Sequence, residues 1–172
     1  MSLNVEITKI SEDEIPILSP LATAILREHF DPIIGKAQND YMLEKFQSVS
    51  AIKEQFKKGY LYYWVKYENK NVGFLGFYPI DNKLYLSKFY LLKEYRGKKI
   101  SRIMFEFIVN YAKKEGLKSI YLNVNRNNEV AIKVYEHLGF VLIREEKNDI
   151  GNGFYMDDFV FEYEIKKWNI KI

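Results

Sequence analysis

The sequence predicts an α/β (α+β) fold, built on a mixed, mostly antiparallel sheet of about seven strands with about four flanking helices. Two observations predict it. Between Tyr60 and Leu92, three strand-like apolar runs are separated by short polar turns, the pattern of an antiparallel meander. Beyond Leu92 the apolar period changes from two to 3.6, and helical and strand-like runs then alternate to the last strand.

The elements follow in order. Val5 to Ile10 alternates and reads as a first strand. Ser11, with Glu14 three residues on, signals the start of a helix over roughly Ile15 to His29. Pro16 suits its first turn, whereas Pro20 predicts a later start or a kink. Asp31-Pro32 closes that helix, and a loop over Ile33 to Asp40 leads to a second helix within Tyr41 to Lys58. There Met42, Phe46, Val49, Ile52 and Phe56 fall at helical spacing. The strands Tyr60 to Tyr67, Val72 to Tyr78 and Lys83 to Leu92 form the meander. Ile100 to Lys114 is an amphipathic helix closed by Gly116. A strand over Ser119 to Val124, a helix over Glu129 to Leu138, and strands over Phe140 to Glu145 and Tyr155 to Ile165 complete the order. No linker, repeat or low-complexity tract interrupts it, so residues 1–172 are expected to be a single domain.

Composition narrows the chemistry by exclusion. The chain has no cysteine, which removes disulfides, thiolate metal sites and a cysteine nucleophile, and fits a reducing compartment. The two histidines, His29 and His137, have no partners at metal-ligand spacing, so no metal is expected. No apolar run approaches the ~20 residues that cross a bilayer, and the start MSLNVEITKISEDE is unlike a signal peptide, so the expectation is a cytoplasmic protein without a membrane partner. Net charge is +3, too mild to indicate nucleic acid, and no nucleic-acid-binding motif is present.

Two segments carry chemistry. In the first, the strand end Phe89-Tyr90-Leu91 runs through Arg96-Gly97-Lys98-Lys99 into a helix beginning Ile100-Ser101-Arg102. The first N–H groups of a helix lack intrahelical partners and face outward with the positive end of its dipole, a geometry that binds phosphate. Gly97 permits close approach, and Arg96, Lys98, Lys99 and Arg102 add positive charge. An ordinary strand-to-helix turn with solvated lysines fits the same residues. The segment is neither a P-loop nor G-x-G-x-x-G. In the second, Asn128 stands at a strand-to-helix junction, where an N-cap is the simplest role. Tyr135 follows two helical turns later near the same face, with the small Ala131 between them.

Together these segments resemble the GNAT superfamily of N-acetyltransferases. The family pattern N-x-x-A-x-x-x-Y-x-x-x-G-F is complete in Asn128, Ala131, Tyr135, Gly139 and Phe140. Its loop pattern [QR]-x-x-G-x-[GA] is partial: Arg96 matches, while Lys99 and Ser101 replace the two small residues. The resemblance implies a GNAT-like sheet and acetyl-CoA as co-substrate. It implies that the main chain of Phe89, Tyr90 and Leu91 pairs with the pantetheine arm. The backbone from Gly97 to Arg102, through Lys98, Lys99, Ile100 and Ser101, would hold the pyrophosphate. Asn128 would hydrogen-bond the cofactor arm, and Tyr135 would be the general acid for the departing thiolate. A phenol with ordinary pKa ~10 suits that last role. Some relatives use a glutamate base on the fifth strand; Asn123 stands at about that position.

The implied acceptor is a small-molecule or peptide amine. The tail from Asn148 to Glu164 and the length of the N-terminal helical part are similar to the bacterial diamine and spermidine acetyltransferases, which implies a polyamine such as spermidine. Glu28, Asp31, Asp157 and Asp158 are candidate acceptor residues, alongside His29, Asp40 and Glu44. Asp157-Asp158 interrupts an aromatic strand, so one of the pair must face the core side or a cavity. The alternatives are a degenerate acyl-CoA-binding protein and an enzyme acting on protein amines. The aromatic last strand could support a homodimer or be ordinary core.

Overall fold

The computed structural model describes residues 4–165; residues 1–3 and 166–172, the ends of the expected 1–172 domain, lie outside the described residues. Strand β1 (Val5–Lys9) pairs antiparallel with β2 (Leu61–Tyr67), from Val5↔Tyr67 to Lys9↔Tyr63. Ser11 forms the capping box the sequence predicts, its N–H donating to Glu14 Oε1 at 3.0 Å. The other Glu14 oxygen accepts the Trp64 indole N–H at 2.9 Å, which ties this cap to β2.

Helix α1 (Ile15–Ile34) is longer than the sequence predicts and carries Pro20 and Pro32 inside it. Each proline removes one ladder hydrogen bond, at a cost of about 3 kcal/mol in a helix interior. Ile15, Leu18, Ala22, Ile25 and Leu26 are buried along the helix. Burial worth roughly 1.5–3 kcal/mol per large aliphatic side chain outweighs the lost bonds. Gly35, at φ 85, separates α1 from α2 (Lys36–Gln47). Thus the expected loop over Ile33 to Asp40 is mostly helical. The expected second helix is divided at Ser48, whose extended backbone (ψ 158) and hydroxyl cap α3 (Val49–Lys57) by accepting from the Ala51 N–H at 3.2 Å. The described residues therefore contain five α-helices, against the expected number of about four.

The meander continues through β3 (Lys70–Ile80) and β4 (Lys83–Leu91). Then come α4 (Ile100–Lys114), β5 (Ser119–Asn125), α5 (Glu129–Leu138), β6 (Val141–Gly151) and β7 (Phe154–Glu164). Three hairpin turns have consecutive residues at positive φ: Glu68-Asn69, Asp81-Asn82 and Asn152-Gly153. That is the type I′ signature, whose twist matches the flanking strands. The strands lie in the order β1-β2-β3-β4-β5-β7-β6. The β4–β5 pair is parallel, from Lys83↔Ser119 to Tyr85↔Tyr121, while β5–β7 and β6–β7 are antiparallel. Strand β7 is bonded on both sides, so its aromatic residues are interior sheet rather than an edge.

The chain forms two compact units, Met1–Tyr78 with Ser87–Met104, and Pro79–Leu86 with Phe105–Ile172. The first is organised around Ile10, Ile15, Leu18, Ala22, Ile25, Ile52, Tyr62, Trp64 and Phe74. In the second, the rings of Phe105, Phe140 and Tyr163 pack at centroid distances of 5.0–5.6 Å. Among the described residues, no helix is long and apolar enough to cross a membrane.

Candidate active site

The first unit contains the end of β4 and the loop after it. Gly73 on β3 allows the close approach of this strand end: a Cβ there would collide with the Tyr90 carbonyl oxygen and lie 2.9 Å from Leu91 Cδ2. The Leu92 N–H donates to Val72 O at 2.8 Å. Arg96 turns back, and both its Nε (3.3 Å) and Nη2 (3.1 Å) donate to the Leu91 carbonyl. The guanidinium thus braces the strand end instead of standing out with the loop's other cations. The Lys98 ammonium sits over Tyr95 and Tyr67, 5.8 and 6.0 Å from their centroids.

The loop backbone has a particular handedness. Gly97 (φ 75) and Lys99 (φ 64) are both left-handed, while Lys98 between them is not. Ile100 then opens α4 and is 1% exposed. Alternation of right- and left-handed residues turns successive N–H groups to one side, forming an anion-binding nest. At a helix N-terminus this adds to the dipole. Lys99 therefore adopts a conformation that favours glycine, the residue the family pattern has at this position, and its side chain is exposed. These residues fit a pyrophosphate through backbone donors rather than side-chain charge.

Lys88 on β4 is a further cation of this unit. Its stem packs where a Gly76 Cβ would stand, and its ammonium donates to Ser87 Oγ at 3.1 Å. Burial pulls its pKa down to about 8.

The second unit holds the other motif. Asn128 is 3% exposed and caps α5, its Oδ1 accepting the Ala131 N–H at 3.3 Å. Gly139, at φ 104, ends α5 in the left-handed conformation. Tyr135 packs edge-on against Phe140, with centroids 5.6 Å apart. Burial, followed by the Tyr85 phenol, pushes the Tyr135 pKa well above its ordinary value of 10, so its hydroxyl keeps its proton at every physiological pH.

Strand alternation brings together a group that sequence reasoning named only in part. Asn123 Oδ1 accepts from the Tyr85 hydroxyl at 3.3 Å. Asn123 Nδ2 lies 3.2 Å from Glu146 Oε2 and 3.4 Å from Asp158 Oδ2. Arg144 Nε donates to the other Glu146 oxygen at 2.7 Å. Asp158 is 3% exposed, and burial raises its carboxyl to about 6, with Asp157 and Glu146 adding to the rise against the Asn123 hydrogen bond. Tyr85 and Glu146 were not singled out from sequence. The available signal was alternation, which places Tyr85 beside Tyr121; Glu146 is identified only by its pairing with Asp158.

The remaining acidic residues separate by partner. Asp157 pairs with Arg126 Nε at 2.9 Å, on the opposite side of β7 from Asp158. Asp40 accepts from Lys36 at 2.8 Å and forms an ion pair with Arg27 at 2.6 Å, and the two cations hold its carboxyl below the ordinary range. Asp31 accepts from Asn39 Nδ2 at 2.7 Å. Glu28 and Glu44 are exposed, and His29 packs edge-on against Phe30 at 4.7 Å. Among the described residues no group of three or more His, Cys, Asp or Glu side chains could hold a metal ion.

Comparison with known proteins identifies the family of the chain. Residues 23–140 match the family model described as Acetyltransferase (GNAT) family. "Probable N-acetyltransferase san" of Drosophila melanogaster is 40% identical over 70 residues, covering 37% of this chain and 38% of that protein. "Spermine/spermidine N(1)-acetyltransferase" of Bacillus subtilis is 32% identical over 83 residues, covering 43% of this chain and 55% of that protein. The chain thus spans about half the length, or less, of the curated relatives it matches. The PaiA N-acetyltransferase of Thermoplasma acidophilum, solved in complex with coenzyme A, superposes with a TM-score of 0.78 over 95% of this chain and 99% of that one. At 24% identity that likeness is one of fold.

Proposed function

The chain belongs to the acetyltransferase (GNAT) family, and we propose that it transfers an acetyl group from acetyl-CoA to a primary amine by direct attack in a ternary complex. The observation that carries this reading is Tyr135, a half-buried phenol on α5 packed against Phe140 and held in its protonated form at working pH. Such a group carries a proton that it can donate to a thiolate leaving group. In the step, the amine nitrogen bonds to the acetyl carbon and the carbon–sulfur bond breaks. The Tyr135 proton passes to sulfur, the nitrogen releases a proton to solvent, and solvent reprotonates the phenolate. No cysteine exists to form an acyl-enzyme.

In this reading, the N–H groups from Gly97 to Arg102, including those of Lys98, Lys99, Ile100 and Ser101, hold the pyrophosphate. The N–H and C=O groups of Phe89 and Tyr90 are the pairing surface for the pantetheine arm; the Leu91 carbonyl is already bonded to Arg96. Asn128 contributes chiefly by setting the start of α5.

For the acceptor, we favour a cationic amine such as spermidine. The support is the buried carboxylate of Asp158, together with the Bacillus relative named for spermine and spermidine. Asp31 and Asp157 are weaker candidates because neither is buried as Asp158 is. The absence of cysteine supports a cytoplasmic setting.

The test is acetyl-CoA consumption with diamines, spermidine, amino acids and short peptides. Turnover of spermidine above the others is expected. Tight CoA binding with no turnover of any amine would instead establish a CoA-binding protein without catalysis.

A further inference from the structure

We propose that Lys88 is a self-acetylation site, its side-chain amine taking the acetyl group of the acetyl-CoA that its own chain binds. This inference rests on the acetyltransferase reading above and adds to it a covalent modification of the protein itself.

Position along β4 is the first support. The β4–β5 ladder runs from Lys83 to Tyr85, and Lys88 lies beyond its end, on the stretch of β4 that leads to the phosphate-binding loop. In the reading above, the pyrophosphate lies at the loop from Gly97 to Arg102, and the pantetheine arm runs back along Tyr90 and Phe89. The next residue in that direction is Lys88. The thioester is the far end of the arm, so it arrives at the Lys88 end of the pairing surface.

The side chain's surroundings are the second. Gly76 on β3 leaves room for the Lys88 stem: a Cβ there would stand 3.0 Å from Lys88 Cγ and 3.2 Å from Lys88 Cβ. The same Cβ would stand 3.0 Å from the ring of Tyr62, which is 1% exposed. The ammonium folds back along its own strand, to Ser87 Oγ at 3.1 Å and the Ser87 carbonyl at 3.5 Å. Among the described residues no carboxylate pairs with it. A cation drawn out of water without an anion favours its neutral form. With the pKa pulled down to about 8, the neutral share at that pH is on the order of 100-fold larger than for an ordinary lysine. The side chain is also partly exposed, so an acyl donor can reach it.

In the step, the Nζ lone pair bonds to the acetyl carbon and the carbon–sulfur bond breaks, its electron pair leaving on sulfur. The nitrogen then gives up one proton and the sulfur gains one. The products are N-acetyl-lysine at position 88 and free CoA. The amide is uncharged, which removes the cost of holding a cation there, and its N–H can still donate to Ser87 Oγ.

The test incubates the full chain with acetyl-CoA at pH 8 without an acceptor amine, follows the intact mass, and maps the modified peptide. One acetyl group is expected on Lys88, gained about 10-fold or more faster than at any other lysine. Its rate constant should not depend on protein concentration, and excess free CoA should slow it. Lys88→Met, which keeps an unbranched stem, should gain no acetyl group over the same period. Without cofactor, trace acetic anhydride should label Lys88 ahead of the exposed lysines. Acetyl groups spread evenly over exposed lysines, a rate constant that rises with protein concentration, or anhydride labelling of Lys88 no faster than of exposed lysines would each overturn the inference. Spermidine turnover by a chain whose Lys88 stays unmodified would overturn it alone; a chain that binds no CoA and acetylates no amine would overturn the acetyltransferase reading with it.

Discussion

Arg96 donates two hydrogen bonds to one acceptor, the carbonyl of Leu91, through Nε at 3.3 Å and Nη2 at 3.1 Å. The residue five positions into the loop therefore fixes where the strand ends. A guanidinium makes this fork from a planar group with little loss of freedom, which a lysine ammonium cannot reproduce. Arg96→Lys keeps the charge and loses the fork. It is expected to weaken CoA binding by about 3- to 10-fold, which isothermal titration would measure, with a stability loss of about 1 kcal/mol in urea.

Lys99 adopts φ 64, a conformation that costs a side-chain-bearing residue about 1 kcal/mol. Lys99→Gly relieves that strain, partly offset by the greater freedom of glycine in the unfolded chain. The melting temperature should rise by about 1–3 °C and CoA affinity should hold or improve. Lys99→Val, β-branched and poorly suited to positive φ, should lower both. Equal melting temperatures for the two variants would contradict this account of the loop.

The sheet and most elements were legible because their signals are local. Alternation marks the strands, glycine marks the helix ends, and Asp81-Asn82 marks a hairpin. The length of α1 was not legible, because Pro20 and Pro32 are local breakers that burial of its apolar side chains overrides. The division at Ser48 was hidden because Met42, Phe46, Val49, Ile52 and Phe56 keep a helical spacing across it. Tyr135 and Asn128 were found because their motif lies in one continuous segment. Tyr85, Asn123, Glu146 and Asp158 come from four strands, and only strand register brings them together. The adjacent Asp157 and Asp158 were indistinguishable by composition; the pleat sends one to Arg126 and the other to Asn123.

Tyr135→Phe should retain CoA affinity and lose about 10²- to 10⁴-fold in kcat, the usual contribution of a placed acid. Burial raises this phenol's pKa well above 10. Consequently the wild-type rate should show no alkaline fall from Tyr135 up to pH about 10. A stopped-flow pH series checks this, and a descending limb near pH 8–9 that disappears in Tyr135→Phe would contradict it.

Asp158 gives a stability prediction with a definite sign. Its carboxyl is raised from 3.8 to about 6 by burial. The folded chain then holds this proton more tightly than the unfolded one, so the contribution is full below pH about 4 and is lost as pH rises through about 6. Asp158→Asn cannot ionise. It should be more stable than wild type by on the order of 2 kcal/mol at pH 8, with the advantage vanishing near pH 4. Urea denaturation at the two pH values measures the difference; an advantage independent of pH would show that Asp158 does not titrate in this range.

The left-handed Lys99 also bears on how such proteins are recognised. A motif written in letters treats lysine in place of glycine as damage. A motif written in dihedral angles treats the two as synonyms, because both residues can hold the left-handed backbone that turns successive N–H groups to one side. Chains that spell this loop without its glycines can therefore be sorted from true losses by asking which residues lie at positive φ, a question that reaches relatives whose spelling has drifted past recognition.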